Sequence, residues 1–506
     1  MNGLRGRTLR LRLVLLAACA TPLAALAPAV MAQAAPAATP ATSAAPATSE
    51  RPNILFVLVD DMGFADLSIM GNRKIATPNL DRLARQGVLM TSFYDAAPIC
   101  SPSRAGFFTG RYPAEVGFVT FINDRTANAA RGQSDWLDPA LPNVARLLKN
   151  AGYATGHFGK WHMGGGRDVG DAPWPTAYGF DESLTTFEGL GPRVLVSDEE
   201  RGLADQSGAL GQGPTFYEIK TNLTQLYCSK VLDFVGRHRA QPWFAQLWLN
   251  DVHDPWAPDD LSLHEVKGRG EGADDDRYLA TIAKMDRTLG NLFDRLKDMG
   301  EAQDTLIVVT SDNGPSALQR YYKDGRTAPG SVLALRGRKG SLYEGGIRQP
   351  LILSWPGHVQ QGYRDDRTIG QGVDLLPTIA QVAGVTMPPG GDGIDLSPVL
   401  AGKPVTARAP LFWAFGMPGA QRQPRGPFLA RDNAPRLAIR DGRWKLLADN
   451  AGDVVELYDL QADPGEARNV APQQKRVRDR LLKRLRAWAG TLRPQASRGA
   501  TPTVGG

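Results

Sequence analysis

Between Asn53 and Val59 the chain carries a continuous apolar run that ends on Asp60-Asp61. A strand that is apolar on both faces must be covered on both faces, which a sheet packed between helices achieves. Runs of the same character lie at 243–249, 305–310 and 350–355. They alternate with stretches of helical period at 143–150, 278–299 and 373–383, which predicts an α/β fold with a largely parallel sheet and helices on both faces. A further helix should follow the first run, with Thr77 able to cap it, Pro78 in its first turn, Leu80 and Leu83 facing inward and Gly87 ending it. Open α/β sheets bind ligands beyond the carboxyl ends of their strands, so the polar groups that follow each run are the first candidates for chemistry.

After about residue 405 the pattern changes to short strand candidates at 411–415, 436–440, 444–447 and 454–458, then a basic helix at 473–488. This reads as a smaller antiparallel sheet with a helix, whose stripe Val477, Leu481, Leu485 and Trp488 docks while its cations face solvent. At the other end, an Arg-rich start, an apolar Ala-rich stretch and Ala32-Gln33-Ala34 form an export signal over 1–34. Residues 35–50, nearly all Ala, Pro, Thr and Ser, are expected to be a disordered linker. The layout predicted is therefore a signal at 1–34, a linker at 35–50, a catalytic domain at 51–405, a smaller subdomain at 406–490 and a flexible tail at 491–506. The expected location is periplasmic or secreted. The rival is Leu16-Ala17-Ala18-Cys19, lipobox-like, which would make the protein a lipoprotein anchored through Cys19 and give it its one route to a membrane.

The formal charge of +6 misleads. Four arginines in the first 34 residues, with nine cations against Asp479 between Lys475 and Arg498, exceed the whole excess, so residues 35–474 are net acidic. That argues against a nucleic-acid partner, which would need a basic face on the folded core. Three cysteines, Cys19, Cys100 and Cys228, cannot build a disulfide framework.

Two strand ends carry acids: Asp60-Asp61 after the first run, and Ser311-Asp312-Asn313-Gly314 after the run at 305–310. Two carboxylates at one strand end repel unless a cation lies between them, and a carboxylate with an amide at another strand end can complete an all-oxygen site. Calcium, which takes six to eight such ligands in irregular geometry, is the natural occupant. Zinc would call for His or Cys, and the chain has only six histidines. A third group, Cys100-Ser101-Pro102-Ser103-Arg104, opens a predicted helix, where unpaired N–H groups should favour the thiolate. A thiol phosphatase loop is a poor fit, because its Cys-x5-Arg spacing meets Gly106.

The pentapeptide from Cys100 to Arg104 resembles the Cys-x-Pro-Ser-Arg element of the formylglycine-dependent sulfatases. Asp60-Asp61, Gly159-Lys160-Trp161-His162, Asp312-Asn313-Gly314, Arg336-Gly337-Arg338-Lys339-Gly340 and Glu344-Gly345-Gly346 resemble further elements of that family, in its order. So does Leu457-Tyr458-Asp459-Leu460 with Asp463-Pro464. The resemblance implies an alkaline-phosphatase-like fold, with a large mixed sheet flanked by helices plus a smaller C-terminal antiparallel sheet with a helix. It implies a sulfate ester hydrolase of arylsulfatase type that releases inorganic sulfate and an alcohol or phenol. Cys100 would be oxidised to formylglycine by a maturation enzyme that reads Pro102 and Arg104. The aldehyde's hydrate would attack sulfur through one hydroxyl and expel sulfate through the other. Asp60, Asp61, Asp312 and Asn313, with the modified Cys100, would hold one calcium ion. Arg104 and Lys160 would fix the diol, His162 would act as the base that releases sulfate, and Lys339 and His253 would bind the ester and assist the leaving oxygen.

Four expectations depend on local detail. Lys160 and His162 should point to one side if their segment is extended. Asp254 stands where a neutral residue is expected beside His253, and Arg338 stands where Gly is expected, adding a cation beside Lys339. Trp161, Trp174 and Trp256 lie near the proposed site and could stack on an aryl group or a sugar face. The substrate is then a small-molecule or carbohydrate sulfate ester. The alternatives are a carbohydrate-specific sulfatase, a phosphodiesterase or phosphonate ester hydrolase of the same superfamily, or, more remotely, a non-catalytic protein that binds a sulfated ligand.

Overall fold

The computed structural model describes residues 51–197, 201–319, 328–450 and 453–494. The expected export signal, linker and Cys19 anchor, and the tail beyond 494, lie outside the described residues. Among those residues eleven strands form one sheet: β1 (Asn53–Val59), β2 (Val88–Tyr94), β3 (Ala154–Lys160), β4 (Glu182–Thr186), β5 (Arg193–Val196), β6 (Thr215–Glu218), β7 (Trp243–Leu249), β8 (Thr305–Ser311), β9 (Arg348–Ser354), β10 (Tyr363–Asp365) and β11 (Gly370–Gln371). Their order is β10-β2-β9-β8-β1-β7-β3-β4-β5-β6, with β11 also beside β2.

The apolar run of β1 makes it the natural centre. It lies parallel between β7 and β8, with Ile54 opposite both Phe244 and Leu306. Its alternate residues feed two separate cores. Leu55, Val57 and Val59 pack with helices Leu223–His238 and Ala273–Asp298, while Ile54, Phe56 and Leu58 pack with helices Cys100–Thr109 and Leu375–Val382. Each fully buried side chain of this size contributes about 1.5–3 kcal/mol of transfer free energy, so this strand anchors both layers.

The run at 350–355 behaves differently from the others. As β9 it pairs antiparallel with both β2 and β8, while the remaining pairs of the large sheet are parallel. The sheet is therefore mixed. A parallel return needs a crossover to the opposite edge. Asp312, Asn313 and Lys339, which come between β8 and β9 in the chain, instead lie together at the carboxyl edge, and β9 runs into the sheet from that edge.

The second sheet holds β12 (Leu411–Ala414), β13 (Leu437–Asp441), β14 (Trp444–Ala448) and β15 (Val455–Asp459), antiparallel in sequence order. Helix Lys475–Ala489 buries Leu481 and Leu485 against it, with Val477 and Trp488 half-buried, and leaves its cations outward. Trp413 of β12 stands edge-on to Tyr94 at 5.8 Å and donates its indole N–H to the Asp95 carbonyl at 2.8 Å. This sheet is thus packed on the larger one.

Candidate active site

Every expected site residue lies at the carboxyl edge of the parallel strands or in a loop that returns to it. Asp60 and Asp61 follow β1, Lys160 ends β3 and His162 lies two residues on, His253 follows β7, and Asp312 and Asn313 follow β8. Cys100 and Arg104 occupy the first turns of helix Cys100–Thr109, whose ten residues are all buried. Lys339 arrives from the loop before β9.

The charged groups interlock. Arg104 places Nε and Nη2 at 2.9 and 2.7 Å from Asp312 Oδ2, and its Nη1 donates to the Lys160 carbonyl at 2.9 Å. Lys160 Nζ meets Asp60 Oδ2 at 2.5 Å, and Lys339 Nζ grips both oxygens of Asp61 at 2.6 and 2.8 Å. The Asn313 amide donates to Asp61 Oδ1 at 2.7 Å. Three carboxylates therefore meet three cations, and charge balance alone does not demand a metal. The pointer to one is different. Asp60 Oδ1 and Asn313 Oδ1 are buried without a hydrogen-bond partner, and ligand atoms of Asp60, Asp61 and Cys100 lie within 4.8 Å of one another. Buried polar oxygens are nearly always satisfied, so unpaired ones beside two further acids fit a hard divalent cation.

Electrostatics within the cluster are uneven. Burial would raise Asp60, but Lys160, His253, Arg104 and Lys339 together hold it well below the usual carboxylate range. Burial and the charge of Asp60 push Asp312 up to about 7 despite Arg104 and Lys160. Burial works against the charge of Lys339, yet Asp61 holds its pKa above the ordinary lysine range. The thiol of Cys100 corrects the sequence reading. It is 2% exposed, and burial pushes it up to about 11 although Lys160 and Lys339 pull the other way. Desolvation, with the charges of Asp60 and Asp312, outweighs the two lysines, so the folded group stays a thiol.

The two site histidines differ. His253 Nδ1 donates to the Asp254 carbonyl at 2.7 Å, which leaves Nε2 facing Asp61 Oδ2 at 3.9 Å. His162 has no hydrogen-bond partner at either nitrogen and is 3% exposed. Both are held well below the usual imidazole range, first by burial and then by the neighbouring lysines. A cavity of about 620 Å³ opens on the cluster, lined by Cys100, Lys160, His162, His253 and Lys339, with an apolar flank from Val194, Leu195 and Val196.

Other local expectations need correction. Lys160 and His162 do share the cavity, but not through an extended segment, because His162 has φ 55°. Arg338 adds no cation beside Lys339. Its guanidinium is spent on the carbonyls of Ser316, Ala328, Pro329 and Gly330, and the turn that begins at Arg338, closed by the Ser341 amide on the Arg338 carbonyl at 2.9 Å, carries Lys339 to Asp61 instead. None of the three tryptophans lines the cavity. Trp161 is fully buried against Phe108 and Tyr178, Trp256 donates to the Val252 carbonyl and packs on Tyr278, and Trp174 packs on the small cluster of Val169, Ala172 and Leu190. The sequence reading also missed residues that line the cavity beside His162, namely Arg167, Phe187 and Glu188.

The Sulfatase family model matches residues 52–385, and the model described as N-sulphoglucosamine sulphohydrolase, C-terminal, matches residues 338–490. N-acetylgalactosamine-6-sulfatase of Sus scrofa is 34% identical over 382 residues, which cover 72% of this chain and 69% of that protein. Arylsulfatase A of Homo sapiens is 30% identical over 469 residues, 83% of each chain. Among solved structures, Ps i-CgsB in complex with k-i-k-neocarrahexaose superposes with a TM-score of 0.72 at 26% identity, covering 88% of this chain and 94% of that one.

Proposed function

Because the chain belongs to the sulfatase family of the alkaline-phosphatase superfamily and is a sulfuric ester hydrolase, we propose that it works with a formylglycine made from Cys100 and one calcium ion. The ion would be held by Asp60, Asp61, Asp312, Asn313 and residue 100. The observation that carries this reading is the meeting of ligand atoms from Asp60, Asp61 and Cys100 within 4.8 Å, beside the unpartnered oxygens of Asp60 and Asn313. When present, the hydrated aldehyde supplies a nucleophilic hydroxyl and the ion supplies positive charge beside it.

The chain's own residues do the rest. Arg104 and Lys160, each tied to a carboxylate of the cluster, keep the hydroxyls of residue 100 oriented. His162 takes the proton from one of them. Lys339 binds the sulfuryl group and stabilises the ester oxygen as its bond to sulfur breaks, and His253, whose Nδ1 hydrogen is given to the Asp254 carbonyl, assists at that oxygen once Nε2 carries a proton. In the net reaction water delivers a hydroxyl to sulfur and a proton to the leaving oxygen. With three carboxylates already balanced by three cations, a divalent ion would leave the pocket with net positive charge, which suits an anionic ester.

The likeness to N-acetylgalactosamine-6-sulfatase and to Ps i-CgsB with its neocarrahexaose supports a sulfated carbohydrate as the physiological ester. The likeness to arylsulfatase A supports aryl sulfates as assay substrates. Export through residues 1–34 and dependence on a maturation enzyme complete the proposal. Mass analysis of the peptide containing residue 100, from protein made with the maturation enzyme, should find the aldehyde in place of the thiol. Chelation should abolish sulfate release and calcium should restore it. A fully active enzyme that retains the Cys100 thiol, or one restored by zinc and not by calcium, would contradict the reading.

A further inference from the structure

Four non-glycine residues with left-handed backbone converge on one contact: His162 (φ 55°), Arg167 (φ 57°), Phe187 (φ 44°) and Glu188 (φ 54°). Such backbone is unfavourable for any side chain with a Cβ and persists where surrounding structure over-determines it, often at functional sites. The amides of Trp161 and His162 donate to the carbonyls of Thr186 and Phe187, both at 3.1 Å, so the two strained segments run side by side. The Phe187 ring then stands edge-on to the imidazole at 4.9 Å and 5.0 Å from Lys160 Nζ. Glu188, the next residue, sends Oε2 to within 3.7 Å of His162 Nε2, while its Oε1 accepts from Arg167 Nε at 2.9 Å.

A buried imidazole unpaired at both nitrogens is costly, and its nearest carboxylate sits just beyond bonding range. We propose that Glu188, clamped by Arg167, is a positioning residue for His162: it accepts the Nε2 proton, fixes the ring and its tautomer, and stabilises the cation formed when Nδ1 takes a proton. The inference rests on the reading of His162 as the base. A movement of roughly 0.5–1 Å brings the pair to hydrogen-bond distance, and acid–base pairs commonly tighten when substrate binds.

The remaining charged groups around His162 explain why a carboxylate is needed. Lys160, Arg104 and Lys339 all disfavour an imidazolium, and Asp60, which favours it, is already engaged by Lys160 at 2.5 Å. Glu188 supplies the opposing charge from the other side. Burial lifts it to about 7, against Arg167 and Lys160, so it is half ionised at neutral pH and carries its full charge above it. Simple pairing with Arg167 could be made at the surface without strained backbone.

The test uses matured, calcium-loaded enzyme with an aryl sulfate such as 4-nitrophenyl sulfate. Glu188→Gln keeps the shape and a carbonyl for Arg167. It should hold KM within about twofold, lower kcat roughly 10- to 100-fold, and move the acid limb of kcat to lower pH by about one unit. Glu188→Asp, which retains the charge, should fall between wild type and Gln in both rate and limb, and carries the same test should the Gln variant fail to fold. Wild-type kcat in Glu188→Gln, or a slower enzyme with an unmoved acid limb, would overturn the proposal. His162→Ala separates the two levels. If it remains active, the base assignment falls and this inference with it, whereas an inactive His162→Ala beside a fully active Glu188→Gln removes this inference alone.

Discussion

Lys339 reaches Asp61 through two contacts at 2.6 and 2.8 Å, yet its ammonium also lines the cavity, so one cation faces both the acid cluster and the incoming ester. Removing a charged donor aimed at developing negative charge typically costs two to three orders of magnitude in turnover. Lys339→Ala should therefore lose roughly 100- to 1,000-fold in kcat for an aryl sulfate, measured on protein that still binds calcium. A loss confined to KM would assign Lys339 to ground-state binding alone. Residues of this kind were legible in the sequence because they sit in ordered motifs at the ends of apolar runs. Glu188 was not. Thr185-Thr186-Phe187-Glu188-Gly189 carries no motif, and its importance arises from two consecutive left-handed residues that only the folded backbone reveals. Arg338 failed in the opposite direction, since adjacency to Lys339 in the chain does not reveal that its guanidinium is spent on backbone carbonyls.

Among the elements, the long apolar runs declared themselves while β3 did not. Its sequence Ala-Thr-Gly-His-Phe-Gly-Lys has two glycines and two polar ionisable residues, weak material for a strand by propensity. Pairing with β7 and β4 makes it one, and all seven residues are buried. Helix Leu223–His238 also went unread, although Leu223, Tyr227, Val231 and Phe234 recur at helical spacing and Asn222 stands before its first residue; that Asn makes no side-chain cap in the fold. The antiparallel direction of β9 could not be read either, because it depends on where the preceding loop travels rather than on the strand's own residues. Gly159 is the element-level requirement of the site. It has φ 118°, and a Cβ there would meet the Trp248 carbonyl oxygen of β7 at 2.0 Å. That close approach sets Lys160 at the end of the strand. Gly159→Ala should cost more than about 3 kcal/mol by combining left-handed strain with a backbone clash, so thermal unfolding should report a strongly lowered midpoint or no soluble protein. A variant as stable as wild type would mean that β3 and β7 can separate without loss.

The two sheets meet through a buried ionic triad whose consequence concerns the whole molecule. Glu344 precedes β9, Lys445 lies in β14 and Glu466 follows β15; Lys445 Nζ stands 3.0 Å from each carboxylate, and all three side chains have no solvent exposure. Glu344 is followed directly by Gly345 and Gly346, where added Cβ atoms would meet the Gly337 and Ser341 carbonyl oxygens at 2.2 and 2.1 Å. The smaller sheet thus braces the loop that delivers Lys339. Two acids share one ammonium, and they divide unequally. Burial would raise Glu344, but Lys445, Arg440 and Arg348 hold it down to about 2, whereas burial pushes Glu466 up to about 7, with the charge of Glu344 adding to the effect against Lys445. The signs are opposite. Stability from Glu344 is fully present above about 4.5 and is lost as pH falls toward 2. Glu466 binds a proton more tightly folded than unfolded between about 4.5 and 7, so folding stability declines as pH rises through that window and levels off above it. Glu466→Gln removes the titration while keeping an acceptor for the triad. The wild-type protein should lose on the order of 1–3 kcal/mol relative to that variant between pH 4.5 and 7.5, read from denaturant unfolding at both values. Parallel curves for the two proteins would show that Glu466 is already ionised throughout, and that Lys445 with its surroundings satisfies both carboxylates at once.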